Sequence, residues 1–215
     1  MQIDVWSDIV CPWCAIGKQR LDAALRTFAH ADQVEVVWHA FELDPTPSEK
    51  RPKYNSITEL LAKKYGMSLA QAQAANERVV ATAEQEGLQW QMDKVIPTAT
   101  FDAHRLLQLA ATVELQPQVM ARLMQGYFAE GKNLSDRTTL AALAVEGGLD
   151  ATQVEAVLAS DQFAAAVRDD ERLATEAGIT GVPFFVIDRK YALSGAQPAA
   201  TMARALDEAW QRSQV

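Results

Sequence analysis

The chain carries two cysteines, Cys11 and Cys14, three positions apart with Pro12 and Trp13 between them. Paired thiols at this spacing can do three kinds of chemistry: supply half of a zinc site, close a small structural disulfide, or cycle between dithiol and disulfide. Zinc takes four ligands, typically from two such pairs or from one pair and spaced histidines. The histidines are His30, His39 and His104, at no ligand-like spacing, so no metal is expected. A structural bridge closing so short a loop removes little entropy from the unfolded chain. A chain of 215 residues can also build its core without one. Redox or thiol chemistry is therefore the favoured reading.

The flanking residues decide how the pair is held. Ile3-Asp4-Val5-Trp6 alternates apolar and polar side chains with β-prone types, the pattern of a short strand. Ile16, Leu21, Ala24, Leu25 and Phe28 recur at helical spacing behind the pair. Cys11 is thus expected at a strand-to-helix junction, with Pro12 in the first helical position, where its missing N–H costs nothing. Unpaired N–H groups and the positive end of the helix dipole favour thiolate at such a junction. On this reading Cys11 is the acidic, exposed thiol. Cys14, one turn on, is the buried thiol that attacks a mixed disulfide on Cys11, and Pro12 and Trp13 tune the couple.

Composition bounds the setting. Hydrophobic residues make up 49% and charged residues 22%, an ordinary globular balance. Net charge is −8, from 20 basic and 28 acidic residues, which argues against a nucleic-acid or anionic-membrane surface. No apolar run approaches the ~20 residues of a membrane span. The N-terminus enters the first strand with neither a basic segment nor an apolar one ahead of it, so a cytoplasmic protein is expected. Nothing in the sequence speaks to oligomeric state.

Along the chain, Val34-Glu35-Val36-Val37-Trp38 reads as a second strand running on toward Phe41, completing a right-handed βαβ unit. The proline- and charge-rich stretch from Asp44 to Pro52 then reads as a boundary loop. From Ser56 to about Ser160 every signal is helical. Ser56 with Glu59, Ser68 with Gln71 and Asp150 with Gln153 are capping boxes, and Leu149 with Val154 has hydrophobic-staple spacing. The expected stripes are Leu69, Ala72, Ala75, Val79 and Ala83, then Ala103, Leu106, Leu107, Ala110 and Val113. Met120 and Met124 read as core filler. A helix led by Ser160, with Phe163, Ala166, Val167, Leu173 and Ala177 on one face, ends at Gly178. A strand opened by Gly181-Val182-Pro183, a turn at Asp188-Arg189-Lys190, a hairpin partner from Tyr191 to Ser194 and a last helix opened by Pro198 complete the chain. The fold class is α/β, with residues 1–45 and 161–215 forming one discontinuous domain and 46–160 an all-helical insertion.

CPWC after a first strand, with Gly181-Val182-Pro183 opening a late one, resembles the thioredoxin fold, and the helical insertion resembles the DsbA family. More narrowly, the segments Ser7–Cys14, Phe101–Leu106 and Ser194–Pro198 are similar to the FrnE-type subgroup. The resemblance implies a dithiol–disulfide oxidoreductase without metal or organic cofactor. Cys11 attacks and Cys14 resolves; Pro183 is cis and faces the CPWC loop. Antiparallel pairing of the first and third strands would bring Pro183 beside Cys11, leaving the Val182 backbone for an extended substrate. The implied partners are protein disulfides and dithiols or small thiols, glutathione among them.

Two related groups share this outline, the kappa-class glutathione transferases and the 2-hydroxychromene-2-carboxylate isomerases. They usually carry serine where Cys11 stands and activate glutathione with it. Keeping both cysteines argues for redox work, with isomerase or transferase activity as the alternative. Such enzymes gather substrate contacts in the insertion, which makes His104 a candidate contact, although a lone histidine in an amphipathic helix reads more readily as structural. A redox-inert binding module is the third reading, and it requires an unreactive Cys11.

Overall fold

The computed structural model describes residues 1–213. In chain order the elements are β1 (Gln2–Ser7), α1 (Pro12–Thr27), β2 (Glu35–Ala40), α2 (Ile57–Tyr65), α3 (Leu69–Gln85), α4 (Phe101–Thr112), α5 (Gln116–Phe128), α6 (Arg137–Glu146), α7 (Ala151–Leu158), α8 (Ala164–Glu176), β3 (Phe184–Ile187), β4 (Tyr191–Ser194) and α9 (Ala199–Ser213). The described chain divides into two compact units, residues 1–43 with 168–213, and residues 44–167.

The first unit is built on a four-stranded sheet ordered β2-β1-β3-β4. β1 runs parallel to β2 in the register Ile3↔Val36 and Val5↔Trp38, and antiparallel to β3 with Val5 opposite Phe185. Side chains alternate along a strand, so Ile3, Val5 and Ser7 share one face of β1 while Asp4 and Trp6 share the other. The first face is apolar: Ile3, Phe185, Ile187 and Leu193 meet Leu21 of α1 and Met202 and Leu206 of α9. The Asp188–Lys190 turn joins β3 to β4 as its composition implied, and the Asp188 side chain accepts the Gln2 N–H at 2.7 Å.

The second face is covered by α8, and there the sequence pattern misleads. The helix begins at Ala164, not after Ser160, because Phe163 sits at φ 62° outside it. Leu173 and Ala177 are exposed, and beyond Val167 the buried positions are Asp170 and Ala174. A carboxylate thus occupies a core position. Asp170 Oδ1 lies 2.7 Å from His39 Nδ1, and its Oδ2 accepts the Ala40 N–H at 2.8 Å. The other ring nitrogen of His39 lies 3.0 Å from Asp4 Oδ1. Its ring stacks on Trp6 at 4.5 Å, and Trp6 Nε1–H donates to the Asp170 carbonyl at 3.1 Å. Burial opposes the imidazolium, yet the hydrogen bonds and charges of Asp170 and Asp4 outweigh it, and the His39 pKa is raised.

The second unit is all helical. Ser68 and Gln71 form a reciprocal capping box at the start of α3. Ser56 accepts the Glu59 N–H, while the Glu59 carboxylate turns to the N–H of Asn55 instead of Ser56. Asp150 caps α7 through the Gln153 N–H, and Asp136 caps α6 through Thr139. Two ends of the expected stripes face outward. Leu69 is 62% exposed in the first position of α3, and Val113 lies past the last residue of α4. Within α3, Asn76 takes a buried place and donates to Thr58 Oγ1 at 3.0 Å.

Candidate active site

β1 ends at Ser7, and a tight turn leads into α1. The Cys11 N–H donates to the Asp8 carbonyl at 3.1 Å, and the Cys11 carbonyl accepts the N–H groups of Cys14 and Ala15 at 3.0 and 3.3 Å. Cys11 is the N-cap of α1, with Pro12 the first helical residue. Asp8 is held in turn: its buried carboxylate accepts the Leu43 N–H at 2.8 Å. Both cysteines are free thiols.

Cys11 is not the exposed thiol that its junction position suggests. It is 3% exposed, against 1% for Cys14, while Trp13 between them is 42% exposed. The loop before β3 explains the difference. The Val182–Pro183 peptide is cis, and the Val182 carbonyl faces the Cys11 thiol at 3.7 Å. That carbonyl is therefore not free in the reduced protein, although a thiol is a weak donor and gives way readily to an amide. The Pro183 carbonyl is tied to the far side of the hairpin by the Gly195 N–H at 2.8 Å.

The second thiol is held protonated. Burial pushes the Cys14 pKa well up, and its hydrogen bond to Cys11 and that sulfur's charge push the same way. A main-chain hydrogen bond from Asp8 and the Ser7 hydroxyl pull it down without reversing the sign. The pair is asymmetric: Cys11 stands at the helix end against a displaceable carbonyl, and Cys14 lies inside, where burial and Cys11 hold its pKa up.

Gly17 belongs to this arrangement and was missed in the sequence. It lies one turn beyond Cys14 on the face of α1 that meets the cis-proline loop. A Cβ there would stand 2.9 Å from Pro183 Cγ and 3.3 Å from Phe185 Cζ. Glycine inside a helix costs about 1 kcal/mol relative to alanine, and that penalty was the available signal. In the sequence Ser7 and Asp8 stand out only as part of a resemblance; in the structure both are buried and both pull the Cys14 pKa down.

His104 is buried in α4 of the second unit, and its main-chain N–H donates to Thr100 O at 2.9 Å. Its neighbour Arg105 does most of the work in that segment. The guanidinium bonds Asp102 at 2.7 Å and the Gln162 carbonyl at 2.8 Å, and also reaches the carbonyls of Val157 and Ser160. It thereby closes the C-terminal end of α7 and the turn that follows. Among the described residues no cluster of three or more His, Cys, Asp or Glu side chains could hold a metal ion, and no helix is long and apolar enough to cross a membrane.

Comparison with known proteins places the arrangement. A crystal structure of a probable DsbA oxidoreductase from Streptomyces coelicolor superposes with a TM-score of 0.92 at 44% identity, over 98% of this chain and 90% of that one. The cytosolic disulfide reductase DsbM of Pseudomonas aeruginosa, solved with glutathione, shares the fold at a TM-score of 0.68 and 18% identity, over 98% of this chain and 100% of that one. A Bacillus subtilis protein, YwbO, is 30% identical over 189 residues, 87% of this chain and 86% of its own length. The model of the DSBA-like thioredoxin domain matches residues 2–207. The chain, a mixed sheet with helices on both faces interrupted by a helical insertion, belongs to the DSBA-like thioredoxin domain family.

Proposed function

We propose that the protein is a cytoplasmic thiol–disulfide oxidoreductase working through Cys11 and Cys14 on protein disulfides and small thiols. The observation that carries this reading is the asymmetric thiol pair, with Cys11 capping the helix N-terminus against the Val182 carbonyl and Cys14 buried one turn behind it. In the reducing direction the Cys11 thiolate attacks a substrate disulfide, forming a mixed disulfide and releasing one substrate thiolate. Cys14, having lost its proton, attacks Cys11 Sγ, closes the Cys11–Cys14 bond and releases the second. The oxidising direction runs through the same species in reverse. An extended substrate would take the Val182 carbonyl from the Cys11 thiol, and Trp13 would border it.

The test is disulfide reduction on insulin and on oxidised glutathione, with wild type, Cys11→Ser and Cys14→Ser. Wild type should turn over, Cys11→Ser should be inactive, and Cys14→Ser should accumulate a mixed disulfide on Cys11. A wild type inert toward both substrates that conjugates glutathione to electrophiles would replace this reading with the transferase or isomerase one.

A further inference from the structure

Ser7 ends β1 on the face that meets α1, so its side chain enters the sheet–helix interface where Cys14 lies. The residue is buried, and its Oγ has no hydrogen-bond partner in the reduced protein. The polar group it acts on is the Cys14 thiol. A hydroxyl left without a partner in the interior costs free energy. That cost is recovered in whichever state gives the hydroxyl an acceptor.

The chemistry proposed above supplies that state. In the reduced protein the Cys14 sulfur keeps its proton through burial and through Cys11. Once Cys11 is bound in a mixed disulfide its sulfur carries no charge, and both contributions from Cys11 fall away. Burial then stands against the two donors on the other side of Cys14, the Asp8 main chain and the Ser7 hydroxyl. Cys14 is 1% exposed, so protein groups rather than bulk water solvate most of the charge that forms on its sulfur.

We infer that Ser7 is a catalytic residue of the resolving step, its hydroxyl donating to the Cys14 thiolate alongside the Asp8 N–H in a two-donor pocket for that anion. The inference rests on the thiol–disulfide reading. Cys14 gives its proton to solvent, and its sulfur attacks Cys11 Sγ. The Cys11–substrate S–S bond breaks, the Cys11–Cys14 bond forms, and the electron pair leaves with the substrate thiolate. In reverse, Cys14 departs as the thiolate and Ser7 stabilises it as a leaving group.

The size of the effect follows from two opposing terms. A hydrogen bond to a charged acceptor corresponds to about tenfold at the low end of its range, so Ser7→Ala should lower the Cys14 thiolate fraction by about that factor. Each remaining thiolate becomes more nucleophilic, by about threefold for a Brønsted slope of 0.4–0.5. The net expectation is a resolution about threefold slower near neutral pH, with the pH midpoint moved upward.

The experiment is stopped-flow reaction of reduced protein with the aryl disulfide dithiobis(nitrobenzoate), whose released thiolate is coloured. A first phase reports attack by Cys11, and a second reports resolution by Cys14. Wild type should show both. Ser7→Ala should keep the first rate, slow the second about threefold and shift its pH profile to higher pH, whereas Ser7→Thr, which retains the hydroxyl, should restore the wild-type profile. Thermal melts of all three confirm that folded protein is compared. A wild type with no second phase overturns the thiol–disulfide reading and this one with it. Two phases in wild type, with a Ser7→Ala second phase unchanged in rate and pH midpoint, overturn the role of Ser7 alone. A Ser7→Thr profile matching that of Ser7→Ala also overturns it.

Discussion

Replacing Gly17 by alanine sets two effects of opposite sign against each other. In a helix interior the exchange ordinarily stabilises by about 1 kcal/mol, because glycine loses more backbone entropy on folding. Here the new methyl would stand 2.9 Å from Pro183 Cγ, 3.3 Å from Phe185 Cζ and 3.5 Å from Pro183 Cβ. Carbon atoms attract best at about 3.5–4.0 Å, so α1 and the proline loop must separate by roughly half an ångström. Neither neighbour yields easily. Pro183 is a ring tied through its carbonyl to Gly195, and Phe185 is fully buried between β1 and β4. Overpacking of this kind costs about 1–3 kcal/mol, leaving a net loss of up to about 2 kcal/mol. The same displacement moves the Val182 carbonyl away from the position in which it meets Cys11, so turnover should fall along with stability. Guanidinium denaturation followed by tryptophan fluorescence, paired with insulin-reduction rates, measures both. An alanine variant about 1 kcal/mol more stable than wild type, with unchanged turnover, would show that α1 does not press on the proline loop.

Two further outcomes follow from buried charges. The raised pKa of His39 means that the stabilisation from its carboxylate pair is complete below its ordinary value of 6.5 and is lost as pH rises through the elevated one. The difference in unfolding free energy between wild type and His39→Asn should therefore be largest near about pH 6 and shrink toward alkaline pH; a flat or opposite dependence defeats the assignment. Arg105→Met should cost about 3 kcal/mol or more, since it strands the carbonyls of Val157, Ser160 and Gln162. Arg105→Lys should recover under half of that, because an ammonium lacks the planar fork. Urea midpoints decide it, and a loss below about 1 kcal/mol for Arg105→Met would count against the stranded-carbonyl account.

What the sequence made legible was governed by local rules. The strand–turn–helix around Cys11, the cap at Ser68 and the β3–β4 turn each rest on a few adjacent residues whose preferences agree. The helical insertion was visible as well, since nothing from Ser56 to Ser160 competes with helix periodicity. The errors arose where a partner distant in sequence decides. Asp170 is unintelligible as a core residue until His39 and the Ala40 N–H are placed opposite it, so the sequence pattern runs the apolar face of α8 through Leu173 and Ala177 instead. The junction alone implies an exposed Cys11, because its own segment says nothing of Val182, which lies 171 residues away along the chain. Gly17 is silent for the same reason, its meaning residing in Pro183 and Phe185. At Leu69 and Val113 the stripe ran one residue past what the helix buries.

The division of the first unit into two chain segments bears on how the protein is made. β1 pairs with β2 as soon as the first forty residues or so are synthesised, but its other edge waits for β3, which follows the whole second unit. At about 5–20 residues per second of synthesis, that wait is on the order of ten seconds or more. Throughout it, the second unit can fold as a continuous stretch, while the edge of β1 stays open to pairing with other chains. Val182 and Pro183 have not yet arrived to cover Cys11. The nascent chain therefore carries its two thiols without the Val182–Pro183 loop that later lies over Cys11, and the reduced state of the growing polypeptide depends on its surroundings until the final strands close over the pair.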